Sequence, residues 1–434
     1  MNIKTNILLP FFSLFLASYT AASPEVRIKH IKNTYLENLN QIDNGSNEHT
    51  LAIFGNKKNN SIDVIDVERM QHTDEIFTTH QITYTADKVG NFPKVYAVNR
   101  GSSSLDVLDI NSMDIIKTIP LTHTPRSAEA VNKTLQLCAV SGMNKAMVSI
   151  ISAKTDQVVA VVGDDTITQP VNNHGSHATG HPFWLDAHHF VLIDRSKKKI
   201  FTYYIEQLAD GRWQTSLLNS VDTLASAHQI IPRKGRYFGE KDKFYLTVEG
   251  SDTQYPMIME LRLIPNRGLI KTRQLEIYKD GLSPLTTHVH HGDFHPHQKL
   301  IYVGSKEGNF YIVNYETMRI VKSFKAGKGA GHTYMIPQKD LAIIINHKDK
   351  FVTAVNTKTN TKIKDIEVSI SPDYAVGKKT IQAHPKYHAS KDGKYFYAFL
   401  TEEGGFYQLD LDKLQVINTI NLTGKPAQGS FIKY

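Results

Sequence analysis

Residues 94–121 read KVYAVNRGSSSLDVLDINSMDIIKTIPL. An apolar strand (KVYAV) ends in a polar turn, an alternating strand (SLDVLDI) follows, and a third run (IIKTI) is β-branched, the pattern of short pleated strands rather than of a helix. The same unit recurs as LAIFGNKKNNSIDVIDV from Leu51, KLIYVGSKEGNFYIVNYETMRIVKSF from Lys299, DLAIIINHKDKFVTAVNTKTNTKIKDIEV from Asp340 and KYFYAFLTEEGGFYQLDLDKLQVINTINL from Lys394. Looser copies are LQLCAVSGMNKAMVSIISAKTDQVVAVVG from Leu135, HFVLIDRSKKKIFTYYIE from His189 and KFYLTVEGSDTQYPMIMELRL from Lys243.

Units recurring every ~40–55 residues match four-stranded blades arranged around a ring. The expected fold is an all-β β-propeller of eight blades over residues 50–434, with seven as the alternative count because the fourth to sixth units carry insertions. GKPAQGSFIKY stops at Tyr434 where the innermost strand of another blade is due, and the unit at Leu51 lacks such a strand. The C-terminal strand is therefore expected to join the N-terminal blade, which removes free sheet edges.

Residues 1–23 carry Lys4, an apolar run from Ile7 to Ala17 and a small-residue end at Ala21-Ala22-Ser23, the layout of a signal peptide. Residues 24–49 form a leading arm. The mature chain is expected in the periplasm or the medium, as a monomer without a membrane span. One cysteine, Cys138, excludes an intramolecular disulfide. Lys plus Arg number 50 against 42 for Asp plus Glu, a net +8 with the lysines scattered, which reads as a solvated surface and not as a nucleic-acid site.

Register within the unit locates side chains in space. Nine residues before the first apolar residue of the second strand, at Phe190, Leu300 and Leu341, stand His181 (TGHPFWL), His291 (HVHHGDF) and His332 (GAGHTYMIP). The third unit has Arg126 there, and small adjustments add His228 (SAHQIIP) and His384 (QAHPKYH). Five blades would thus aim an imidazole at one channel mouth. The adjoining turns add Asp194, Glu249, His347 and Glu402, with His347 the strongest candidate ligand. His174 and His177 lie in the loop NNHGSHATGH, and His290 beside His291 either widens the site or faces the other way, since side chains alternate along a strand. His188, His189, His295, His297 and His388 read as structural. Neutral imidazoles with an occasional carboxylate suit Zn²⁺ or Cu²⁺, and Ca²⁺ or Mg²⁺ poorly.

The units resemble YVTN-type propellers, and eight of them are similar to the ring that carries haem d1 in cytochrome cd1 nitrite reductases. That resemblance implies a haem d1-like tetrapyrrole as an alternative cofactor, with Arg126 and Lys328 pairing to its carboxylates. The chain also resembles the eight-bladed zinc metallochaperones that serve zinc importers, which implies a metal ion and a periplasmic metal-binding or transport protein as partners. A third account is a protein-interaction propeller without cofactor. No Cys-x-x-Cys-His haem attachment and no Gly-x-Ser-x-Gly elbow is present, so no catalytic residue is assigned.

Overall fold

The computed structural model describes residues 49–79, 83–167, 177–234, 236–278, 281–369, 382 and 388–433. The expected leader, the arm apart from His49, and the candidate ligand His384 lie outside the described residues. Every regular element within them is a strand, apart from two single 3-10 turns at Pro284–Thr286 and Pro337–Lys339.

Among the described residues the strands form six four-stranded sheets and one of eight. The larger sheet is two fours in contact. Pro426–Lys433 runs antiparallel to Thr50–Asn56, from Thr50 opposite Lys433 to Asn56 opposite Pro426, and meets Thr83–Lys88 through the single parallel pair Gln428 and Thr85. Each unit is an antiparallel meander, and the whole is a β-propeller.

Burial explains why the strands read as they do. Leu341–Asn346 is sandwiched between neighbouring sheets and buried throughout, so LAIII is continuously apolar. Thr361–Glu367, outermost in the same sheet, has only Ile366 fully buried, and it alternates (TKIKDIE). The core therefore lies between sheets. Val191 and Ile193 of one sheet pack with Phe244, Leu246 and Met259 of the next.

The recurring Asp or Asn at the end of the third strand builds the turn that follows. Asp109 Oδ1 accepts the backbone N–H groups of Asn111 (2.9 Å) and Ser112 (2.8 Å), and Asn314 and Asp410 cap their turns in the same way. The chain then passes through a left-handed residue, Met113, Met318 or Leu414. A short side chain that bonds its own backbone two or three residues on is the local cause of this turn.

The innermost strands are irregular at one end. Register shifts fall between Pro125 and Ser127, Ala227 and Gln229, Val289 and Gly292, and Ala330 and Thr333. The residues that bulge out of the ladder are Arg126, His228, His290 with His291, and Gly331 with His332. A bulge breaks the alternation of a strand and re-aims its side chains.

Candidate metal centre

The bulges bring imidazoles from neighbouring sheets together. His228, from the strand Ala227–Ile230, meets His290 and His291, from Val289–Phe294, and one ligand nitrogen from each lies within 4.8 Å of the others. A tetrahedral zinc at ~2.1 Å holds its nitrogens about 3.4 Å apart, so the three rings need only close in slightly. The ring centroids of His228 and His290 are 3.7 Å apart, and those of His291 and His332 are 3.4 Å apart.

Glu249 stands behind this trio. It follows the strand Lys243–Val248, its side chain is fully buried, and Oε1 accepts from His228 Nδ1 at 3.0 Å and His290 Nδ1 at 2.9 Å. Its second oxygen takes Arg195 Nη2 at 2.6 Å. Burial by itself pushes this carboxyl up, but Arg195 and the two imidazoles outweigh it and hold Glu249 well below the usual carboxylate range. An ionised carboxylate at Nδ1 fixes the Nδ1–H tautomer and leaves Nε2 as the lone-pair nitrogen. His228 Nε2 is buried and has no hydrogen-bond partner among the described residues.

Burial keeps the imidazoles neutral. It drives His228 and His291 well below the ordinary histidine value, with neighbouring histidines adding to it. His290 is lowered to about 4 and His347 to about 3. Neutral rings are what a metal requires.

The remaining sequence candidates sit around this core. His181 comes within 4.9 Å of His228 and 6.1 Å of His291, centroid to centroid, but both its nitrogens are engaged. Nδ1 is paired with Glu129, and Nε2 accepts from Arg126 Nη2 at 3.1 Å. His332 continues the file to His347 at 5.4 Å, and His347 has space because residue 331 is glycine, where a Cβ would stand 2.6 Å from its ring. His177 is a neighbour of His181 and of Arg126. Lys328 lies on the turn before Ala330–Ile336, with its backbone N–H bonded to Asp349. Of the companion carboxylates, Asp194 caps its own turn through Ser196 and Lys197, and Glu402 pairs with Lys57 and Lys425.

Sequence reading missed Arg195, Glu129 and Lys306. The residue directly after the second strand is the one that matters: Lys57, Met143, Arg195, Glu249, Lys306 and His347 are equivalent, each bonding its backbone N–H to the segment just before or at the start of the inner strand. That register was available as a signal, and it selects Arg195 over the adjacent Asp194.

No family model and no curated protein matches the sequence. Solved structures do match. The chain is similar over 88% of its length to 74% of the dihydro-heme d1 dehydrogenase NirN in complex with DHE, at TM-score 0.62 and 11% identity. It is similar over 89% of its length to 99% of AztD from Citrobacter koseri, at TM-score 0.57 and 12% identity. A third likeness covers 79% of this chain and 89% of BamB from Moraxella catarrhalis, at TM-score 0.54 and 11% identity. The likeness is one of fold. No helix of the described residues is long and apolar enough to cross a membrane.

Proposed function

We propose that this protein is an exported, eight-bladed metal-handling propeller that holds one Zn²⁺ or Cu²⁺ ion through His228, His290 and His291. The observation that carries this reading is Glu249, one buried carboxylate bonded to Nδ1 of two histidines from different sheets, at 3.0 and 2.9 Å. A carboxylate in that position orients ligand imidazoles and raises their basicity. In a purely structural polar belt, burying an anion and three imidazoles together would have no such return. His332 and His347 extend the file and serve as ligands of a transfer step toward a partner protein.

A second reading is a haem d1-like tetrapyrrole, prompted by the likeness in fold to NirN, a dihydro-heme d1 dehydrogenase. It is supported by a channel cavity of about 540 Å³ lined by His332, Lys88, Lys234 and Arg236, cations that suit carboxylate substituents. The two readings are separated by elemental analysis and an absorption spectrum of protein purified from the periplasm. The first expects about one zinc or copper per chain and no porphyrin-type band; a colourless protein that takes up neither ion on reconstitution would refute it. Recovery of the chain from spheroplast supernatant without residues 1–23 is the matching test of export.

A further inference from the structure

The channel cavity of about 540 Å³ lies on the far side of the histidine file from the mouth. The inner strands start at the bulged mouth, and the cavity is lined largely from their other ends. Lys88 closes the strand Thr83–Lys88, Met335 stands near the end of Ala330–Ile336, and Lys234 and Arg236 follow Ala227–Ile230. His332, three residues before Met335, lines the inner end, and its ring centroid is 3.4 Å from that of His291. The cavity therefore reaches the metal ligands from the face opposite the mouth.

Three cations line this space against two carboxylates. Glu129 is bonded to His181 Nδ1 and faces Arg126, which leaves Asp293 to the cations. Asp293 accepts the Thr333 N–H at 3.1 Å, pairs with Lys234 at 3.4 Å and faces Arg236 from further off. Lys88 is exposed and, among the described residues, in no ion pair; its backbone N–H donates to Ser430 Oγ at 2.8 Å, which fixes it beside the closing strand. Among the described residues the Arg236 guanidinium makes one hydrogen bond, from Nη2 to the Met335 carbonyl at 3.2 Å, so most of its planar fork faces the cavity unused. Met335 and Phe431 add an apolar wall, and the volume falls within the ~300–1,000 Å³ of small-molecule sites. A lone inorganic ion would leave most of that space unfilled and the wall without a contact. We propose that the cavity seats one small organic polycarboxylate, held by Lys88, Lys234 and Arg236 with its carbon frame against Met335 and Phe431, and that this anion exchanges metal with the file through His332. In the exchange the ion trades carboxylate oxygens for imidazole nitrogens; no electron moves, and the freed carboxylates stay on the cations. The exchange step rests on the metal reading given above; the seat does not.

The test uses the whole mature chain, freed of metal, with citrate as the probe. Calorimetric titration is expected to give one citrate per chain, weakened ~10–100-fold in Lys88→Gln and in Arg236→Gln, the usual effect of removing one charged hydrogen-bond donor. Lys88 is exposed, so Lys88→Gln decides if Arg236→Gln does not fold by circular dichroism. At equal free zinc, loading followed with a zinc indicator is expected to be ~10-fold faster with citrate in the wild type, the lower end of what an oppositely charged cleft gives, and to lose that gain in Lys88→Gln. No citrate bound, or binding that a folded Lys88→Gln keeps in full, overturns the seat whether or not zinc binds. Inorganic phosphate held as tightly as citrate overturns the assignment to an organic acid, and a porphyrin-type band in the purified protein gives the cavity to the tetrapyrrole instead. Citrate bound with no gain in zinc loading removes the exchange step alone. Should no zinc bind under any condition, the metal reading fails, and the citrate titration still decides the seat.

Discussion

Replacing Glu249 by Gln removes one charge and changes almost no volume. The carboxylate is fully buried, pairs with Arg195 at 2.6 Å, and accepts from His228 and His290. Breaking a buried ion pair on one side costs about 3–5 kcal/mol, because the partner is left charged and unpaired. Gln keeps one acceptor oxygen, which puts the expectation near ~3 kcal/mol. With a denaturant dependence of about 3 kcal/mol/M for urea, the midpoint of the metal-free protein should fall by about 1 M. Zinc affinity should fall ~10–100-fold, the usual effect of losing a carboxylate that orients a ligand imidazole. The two effects have different origins, and the double variant Glu249→Gln/Arg195→Gln separates them. Neutralising both partners should recover much of the stability, since no unpaired charge remains, but none of the metal affinity. Urea curves followed by tryptophan fluorescence and chelator competition measure the two quantities. If Glu249→Gln unfolds at the wild-type midpoint and binds zinc as tightly, Glu249 neither neutralises Arg195 nor orients the histidines, and the proposed centre is wrong.

His291→Ala and His228→Ala each remove a ligand and should weaken zinc binding by more than the ~10–100-fold expected at Glu249, whereas His332→Ala should lower it less and mainly slow transfer to an acceptor chelator. The metal-free protein should be acid-labile: His290 titrates at 6.5 when unfolded and at about 4 when folded, so as pH falls through that interval only the unfolded chain gains the proton. At ~1.4 kcal/mol per pH unit, His290 alone accounts for a loss of about 3 kcal/mol between pH 6.5 and 4, to be read from urea midpoints across that range. His347, lowered to about 3, extends the loss further down, and a bound metal should leave over the same range. Gly331→Ala places a methyl 2.6 Å from the His347 ring and should destabilise by ~1–3 kcal/mol, visible as a lower thermal midpoint with zinc affinity at the central trio retained.

Why the strands were legible and the site only partly so comes down to which residues obey a period. LAIII and FYIVN are buried on both faces, so apolar runs bounded by polar turns announce them wherever they occur. A nine-residue count lands on His181, His291 and His332 for the same reason, since those three units keep one register up to the inner strand, whereas insertions displace His228 from it. At the mouth that register fails. The strand Val289–Phe294 shifts between Val289 and Gly292, and the strict alternation that would separate His290 from His291 no longer applies, so their rings lie 4.3 Å apart on one side. His181 illustrates the converse. It has the right register, but Glu129 and Arg126, three residues apart on one bulged strand, occupy its two nitrogens, and nothing local to TGHPFWL indicates that they lie across from it. Arg195 was hidden by a single position, because one step along a strand exchanges the two faces, and Asp194 caps its own turn while its neighbour reaches Glu249. The mouth is therefore built from departures from the repeat, at bulges that displace His228, His290, His291, His332 and Arg126 from the ladder. A function carried on those residues can diverge between propellers without disturbing the strands that hold the ring together.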